Sequence, residues 1–143
     1  MKEIITRSEF EKLGKEWTAL DAEYDGEFQA FLDNPKATTL ENLGSINKER
    51  FEEMSREWTT LDTKYDNFFQ SFLNSPVIQT PESLAKFKDM QGRIYPLEDE
   101  IYKVAERFFS VQEIQIMKAK QKRLSDIEIE LYKVAEGKKL IQD

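Results

Sequence analysis

The 143-residue chain contains no cysteine and no histidine. The first absence excludes a disulfide framework and a thiol nucleophile, and leaves the redox compartment open. The second excludes a histidine-based triad. Together they exclude ordinary zinc and haem ligation. Only five glycines are present, and no glycine-rich loop is there to cradle a phosphate. No apolar run approaches the roughly 18 residues that would span a bilayer. The opening residues, Met1 to Arg7, turn polar too soon for the apolar stretch of a secretory leader. The expected location is the cytoplasm, with a mature secreted chain as the alternative.

What is present is acid, aromatic residues and helical periodicity. Hydrophobic residues make up 39% of the chain and include 10 Phe, 5 Tyr and 2 Trp. That is enough for one packed core, so a single domain over residues 1–143 is expected. The net charge is −7, and it is unevenly spread. Residues 1–75 carry 9 basic and 16 acidic groups, while residues 76–143 carry 12 of each. An acidic N-terminal half repels phosphates, which argues against nucleic-acid binding. The local exception is the basic run Lys118, Lys120, Lys122 and Arg123. It offers either a solvated helix face or a surface for phosphates or an acidic partner.

An internal duplication organises the first half. Residues 9–35 recur at 50–76 with a constant offset of 41 and 14 identities in 27 positions. The repeated set includes Trp17/Trp58, Asp21/Asp62, Tyr24/Tyr65 and Asp25/Asp66. In the first copy Phe10, Leu13, Trp17, Leu20, Tyr24 and Phe31 step by threes and fours, interrupted at Glu27. In the second, Phe51, Met54, Trp58, Leu61, Tyr65, Phe68 and Phe72 do so without interruption. This spacing predicts two amphipathic helices. Coiled-coil seams prefer Leu, Ile and Val, and rings this large suit a globular bundle.

The boundaries are written locally. Ser8 with Glu11 has the spacing of a capping box, and Asn47 is placed to cap the second helix, with Ile46 and Phe51 as a staple. Asn34-Pro35 and Ser75-Pro76 are stops. Thr80-Pro81 opens a third helix, and Ser110 with Glu113 opens a fourth. Gly137 marks the end. The connection after Asn34 has room for a short helical turn at Thr39–Leu43. Pro96 lies inside the third apolar run, so a kink is expected near Gly92–Pro96, with a complete break as the competitor. A short echo, 101–106 against 131–136, links the third helix to the fourth. The expected fold is an all-α four-helix bundle, with helices near 8–33, 47–74, 81–109 and 111–137.

Several motifs fail their own tests. Trp17-x-x-Leu20 and Tyr24 echo the opening of a tetratricopeptide repeat, but the period is 41 rather than 34 and no turn falls where the hairpin belongs. Asp21, Glu23, Asp25 and Gly26 imitate part of a calcium loop, but the twelfth place holds Leu32 and the segment reads through as helix. A di-iron carboxylate site requires histidine. No cofactor and no metal is therefore expected.

The retained pairs Asp21/Asp25 and Asp62/Asp66 read as acidic edges on the exposed side of the tyrosines, able to meet a basic partner. The expected function is a non-enzymatic interaction module (an inhibitor, chaperone, immunity protein or adaptor) binding a protein partner through rigid helix faces. The competing expectation is a self-assembling structural or cell-surface helical protein, a homodimer included.

Overall fold

A computed structural model describes residues 2–33 and 47–143. Four long helices account for most of them. Helix α1 spans Arg7–Leu32, α2 Lys48–Asn74, α3 Pro81–Ala105 and α4 Val111–Ala135. The fold is the expected all-α four-helix bundle. One addition was not anticipated. Strands β1 (Glu3–Thr6) and β2 (Lys139–Gln142) pair in parallel, with Glu3 opposite Lys139 and Thr6 opposite Gln142. The ladder ties the two ends of the described chain together and buries Ile5.

Most caps follow from the residues. The Asn47 side chain accepts from Arg50 N at 2.8 Å, and Thr80 accepts from Ser83 N at 3.1 Å with Pro81 in the first turn. Ser110 and Glu113 close a reciprocal capping box. Helix α4 ends in a Schellman turn. Lys138 N donates to Lys133 O and Gly137 N to Val134 O, with Gly137 at φ 78°.

Other boundaries depart from expectation. The cap of α1 is Thr6, which accepts from Glu9 N, and not Ser8; strand β1 ends at Thr6, so the helix begins directly behind it. Helix α3 stops at Ala105 rather than 109. Its last residues turn under so that Phe108 and Phe109 meet the Phe31 ring, with centroids 6.0 and 5.4 Å away. Helix α3 runs through Pro96 without a break. The expected stop at Asn34-Pro35, the turn at Thr39–Leu43 and the Ile46 staple lie outside the described residues.

Helix α1 packs chiefly on α4, and α2 on α3. The two helix pairs meet through stacked rings that repeat by pseudo-two-fold symmetry. Trp17 stacks on Phe69 at 4.4 Å, and its mate Trp58 stacks on Phe28 at 4.7 Å. Phe10 meets Phe72 edge-on, and Phe51 meets Phe31 likewise. The same operation exchanges α3 and α4 at an offset of 30 residues. Their caps Thr80 and Ser110, and their ends Ala105 and Ala135, correspond. The short echo read from the sequence is the tail of a match that covers both helices.

Candidate functional site

The centre of the bundle holds acids where a core would hold leucines. Glu98 and Glu128 are two-fold mates on α3 and α4, each only 3% exposed. Burying a carboxylate is costly unless its oxygens find donors. Glu98 Oε1 accepts from Gln121 Nε2 at 2.7 Å and Tyr24 OH at 3.0 Å, and Oε2 accepts from Trp58 Nε1 at 2.8 Å. Glu128 repeats the arrangement with the mates of those groups. Oε2 accepts from Trp17 Nε1 at 2.8 Å, and Oε1 from Tyr65 OH at 2.6 Å and Gln91 Nε2 at 3.1 Å. Tyr95 adds a further donor at 3.2 Å. Each tryptophan bonds within its own helix pair, and each tyrosine reaches across to the other pair. Burial raises both carboxyls above the ordinary glutamate range, Glu98 to about 7, and the donors hold the rise down.

The four aspartates lie beside these glutamates. Asp21, Asp25, Asp62 and Asp66 are half-buried. Instead of forming two exposed edges, they face one another across the meeting of α1 and α2. Asp21, Asp25 and Asp62 line one cavity, and Asp66 crowds against Asp21 and Asp25. Burial is the largest influence on each, followed by the neighbouring acids. Asp25 is pushed up to about 6, Asp21 to about 7 and Asp62 to about 9, and Asp66 rises furthest. No lysine or arginine is among the groups that act on them most strongly. Asp66 Oδ1 is buried with no hydrogen-bond partner.

A cavity of about 30 Å³ opens among Asp21, Asp25, Asp62, Glu98 and Glu128. It has room for a water-sized occupant and not for an organic substrate. One oxygen each of Asp21, Asp25 and Asp66 lies within 4.8 Å of the others. Among the described residues this is where several carboxylates come within a small cation's reach, and any such cation would be a hard one on an all-oxygen set. A cluster of acids alone does not make a metal site, and none is assigned.

The basic run is engaged inside the molecule. Arg123 pairs with Glu16 through two bonds of 2.6 and 2.8 Å, and its mate Arg93 reaches Glu57 at 3.5 Å. Lys118 sits 5.3 Å over the Tyr102 ring, as Lys88 sits 5.6 Å over Tyr132. Lys120 pairs with Glu23 and Glu27, and Lys122 with Asp126. Because Lys118 and Arg123 repeat duties performed by Lys88 and Arg93, these cations read as brackets of the bundle.

A second concavity is open and apolar. Between the end of α1 and the start of α4, Ala30, Phe31, Phe109, Ile116 and Met117 line a groove of about 440 Å³ with Glu27 and Glu113 beside it. Ile116 is 57% exposed there. Compared with known protein families, curated proteins and solved structures, the chain matches none.

The sequence reading did not single out Glu98 and Glu128; Glu98, Asp99 and Glu100 are consecutive acids, which point to different sides of a helix. The signal was the 30-residue offset. Gln91 and Glu98 recur as Gln121 and Glu128, seven residues apart in each copy, so a glutamine and a glutamate share one helix face twice.

Proposed function

We propose that the chain is a non-enzymatic module that binds a protein partner through the apolar groove at the meeting of α1 and α4. The groove carries the reading. A large apolar side chain left 57% exposed beside a ring-lined concavity is the form of an anchor site for a partner's helix or loop. The acidic excess of residues 1–75 favours a partner of net positive charge, drawn in by long-range attraction. The acidic centre supports the same reading by its size, since it admits nothing larger than water or an ion.

Affinity capture from the source lysate, with wild-type chain and Ile116→Glu as paired baits, tests the proposal. A photo-crosslinker placed at residue 116 marks what touches the groove. One stoichiometric protein, crosslinked at 116 and weakened at least about 30-fold by a charge at this anchor, is the expected result. Identical capture by both baits would remove the groove from the proposal.

Self-assembly is the second reading, and the terminal ladder favours it. A two-stranded sheet has an open edge on each strand, and Ile4 and Leu140 on it are 57% and 42% exposed. Such edges accept another strand. A monomeric mass by light scattering at high micromolar concentration would count against it.

A further inference from the structure

We propose that the acidic centre is a proton-held lock between the two helix pairs, closed while its aspartates share protons and loosened when they lose them. The proposal is independent of the groove. It begins with where the acids stand. The backbones of α1 and α4, and of α2 and α3, run closest together, and between those pairs the helices stand further apart with stacked rings filling the seam. Asp21 and Asp25 approach the seam from α1, and Asp62 and Asp66 from α2.

Two carboxyl groups in hydrogen-bonding reach need a proton between them; without it they are two like charges at contact. The aspartates crowd in this way: one oxygen each of Asp21, Asp25 and Asp66 lies within 4.8 Å of the others, and Asp62 lines the same cavity. Among the described residues, the other ionisable groups that line the cavity carry no positive charge. From α1 and α2 come Tyr24 and Tyr65, whose hydroxyls are committed to Glu98 and Glu128. From α3 come Glu98 and Tyr95, with Tyr102 bonded to the Tyr24 hydroxyl at 2.8 Å. From α4 comes Glu128. Among the described residues every ionisable group that lines the cavity is an acid or a phenol, so protons are what these residues leave to neutralise the centre.

The direction follows. Burial holds the aspartates above their unfolded values, which lie near 4, up to about 6, 7 and 9 for Asp25, Asp21 and Asp62. Between those limits the folded chain holds more protons than the unfolded chain. Stability from these groups is fully present below the unfolded value. It is lost as pH rises through the folded values. The lock therefore weakens from pH 6 to pH 9.

Thermal unfolding of the full chain in chelator, from pH 5 to pH 9, tests this. The expected result is a midpoint that falls by at least about 5 °C between pH 6 and 9. The double variant Asp62→Asn, Asp66→Asn copies the shape of two protonated acids and cannot ionise. It should lose less than half as much and exceed wild type at pH 9. An infrared band of protonated carboxyl at pH 7, reduced in that variant, reads the same protons in wild-type chain without relying on the variant's stability. A midpoint that is flat or rises with pH, or an equal slope in the variant, overturns the proposal. So does a millimolar addition of Mg²⁺ or Ca²⁺ that restores the pH 9 midpoint to its pH 6 value, because the centre would then be held by a cation.

Discussion

At the scale of the residue, the decisive feature is a pair of carboxylates that could not be buried alone. Glu98 has three donors within 3.0 Å. Removing it leaves the Trp58 N–H and the Gln121 amide without their acceptor, while the Tyr24 hydroxyl keeps Tyr102; each stranded donor costs about 1–3 kcal/mol. Glu98→Ala is therefore expected to destabilise the chain by about 3 kcal/mol or more, and its mate Glu128→Ala by a similar amount. Chemical denaturation checks both. Trp58→Phe is the milder probe, because it keeps most of the ring and deletes one donor to Glu98. A double-mutant cycle between Trp58→Phe and Glu98→Ala, run at pH 9 where Glu98 is ionised, should return a coupling of about 1.5–3 kcal/mol, the range for a hydrogen bond to a charged group. A coupling near zero would mean that the 2.8 Å contact contributes packing alone.

At the scale of the element, glycine separates helix interior from helix end. Gly137 has φ 78°, and an added Cβ would come within 3.2 Å of Ile78 Cδ1. Gly137→Ala should cost about 1–2 kcal/mol through left-handed strain and that contact. Gly26 and Gly92 lie within helices with no atom within 4 Å of an added Cβ. Gly26→Ala and Gly92→Ala should each stabilise by about 0.5–1 kcal/mol, visible as opposite shifts in midpoint. The elements themselves were largely legible. Asn47, Thr80, Ser110 and Gly137 act where their chemistry placed them, because a cap is a local event. The inward face was less legible. A stripe at 3.5 residues drifts by about 20° per heptad on a straight helix. About five turns into the repeat the buried ring is Phe28 and not position 27, and Phe69 rather than Phe68. Glu27 thus interrupts nothing, and Asp21, in line with Trp17, Tyr24 and Phe28, turns towards the seam. The strands were hidden for another reason. Four residues at each end carry little periodicity, and their pairing spans almost the whole chain.

At the scale of the molecule, two successive duplications give one structure two equivalent halves. Helices α1 and α2 exchange with each other, and so do α3 and α4. The α2–α3 pair is contiguous in sequence, and α1 and α4 bracket it. Each pair is bonded to the other through a tyrosine–glutamate contact, Tyr24 to Glu98 and Tyr65 to Glu128, and through stacked rings. A chain joined in this way should unfold as one cooperative unit. Its two tryptophans make the claim testable, because each reports one half: Trp17 bonds Glu128 and Trp58 bonds Glu98. In Trp17→Phe only Trp58 emits, and in Trp58→Phe only Trp17. At pH 6 the fluorescence transition of each variant should coincide with its own far-ultraviolet circular dichroism transition. The two midpoints should also agree within about 2 °C, since the replaced contacts are two-fold mates of nearly equal geometry. If one tryptophan reports an earlier transition than the helical signal, that helix pair opens first, and the symmetry of the contacts does not extend to their energies.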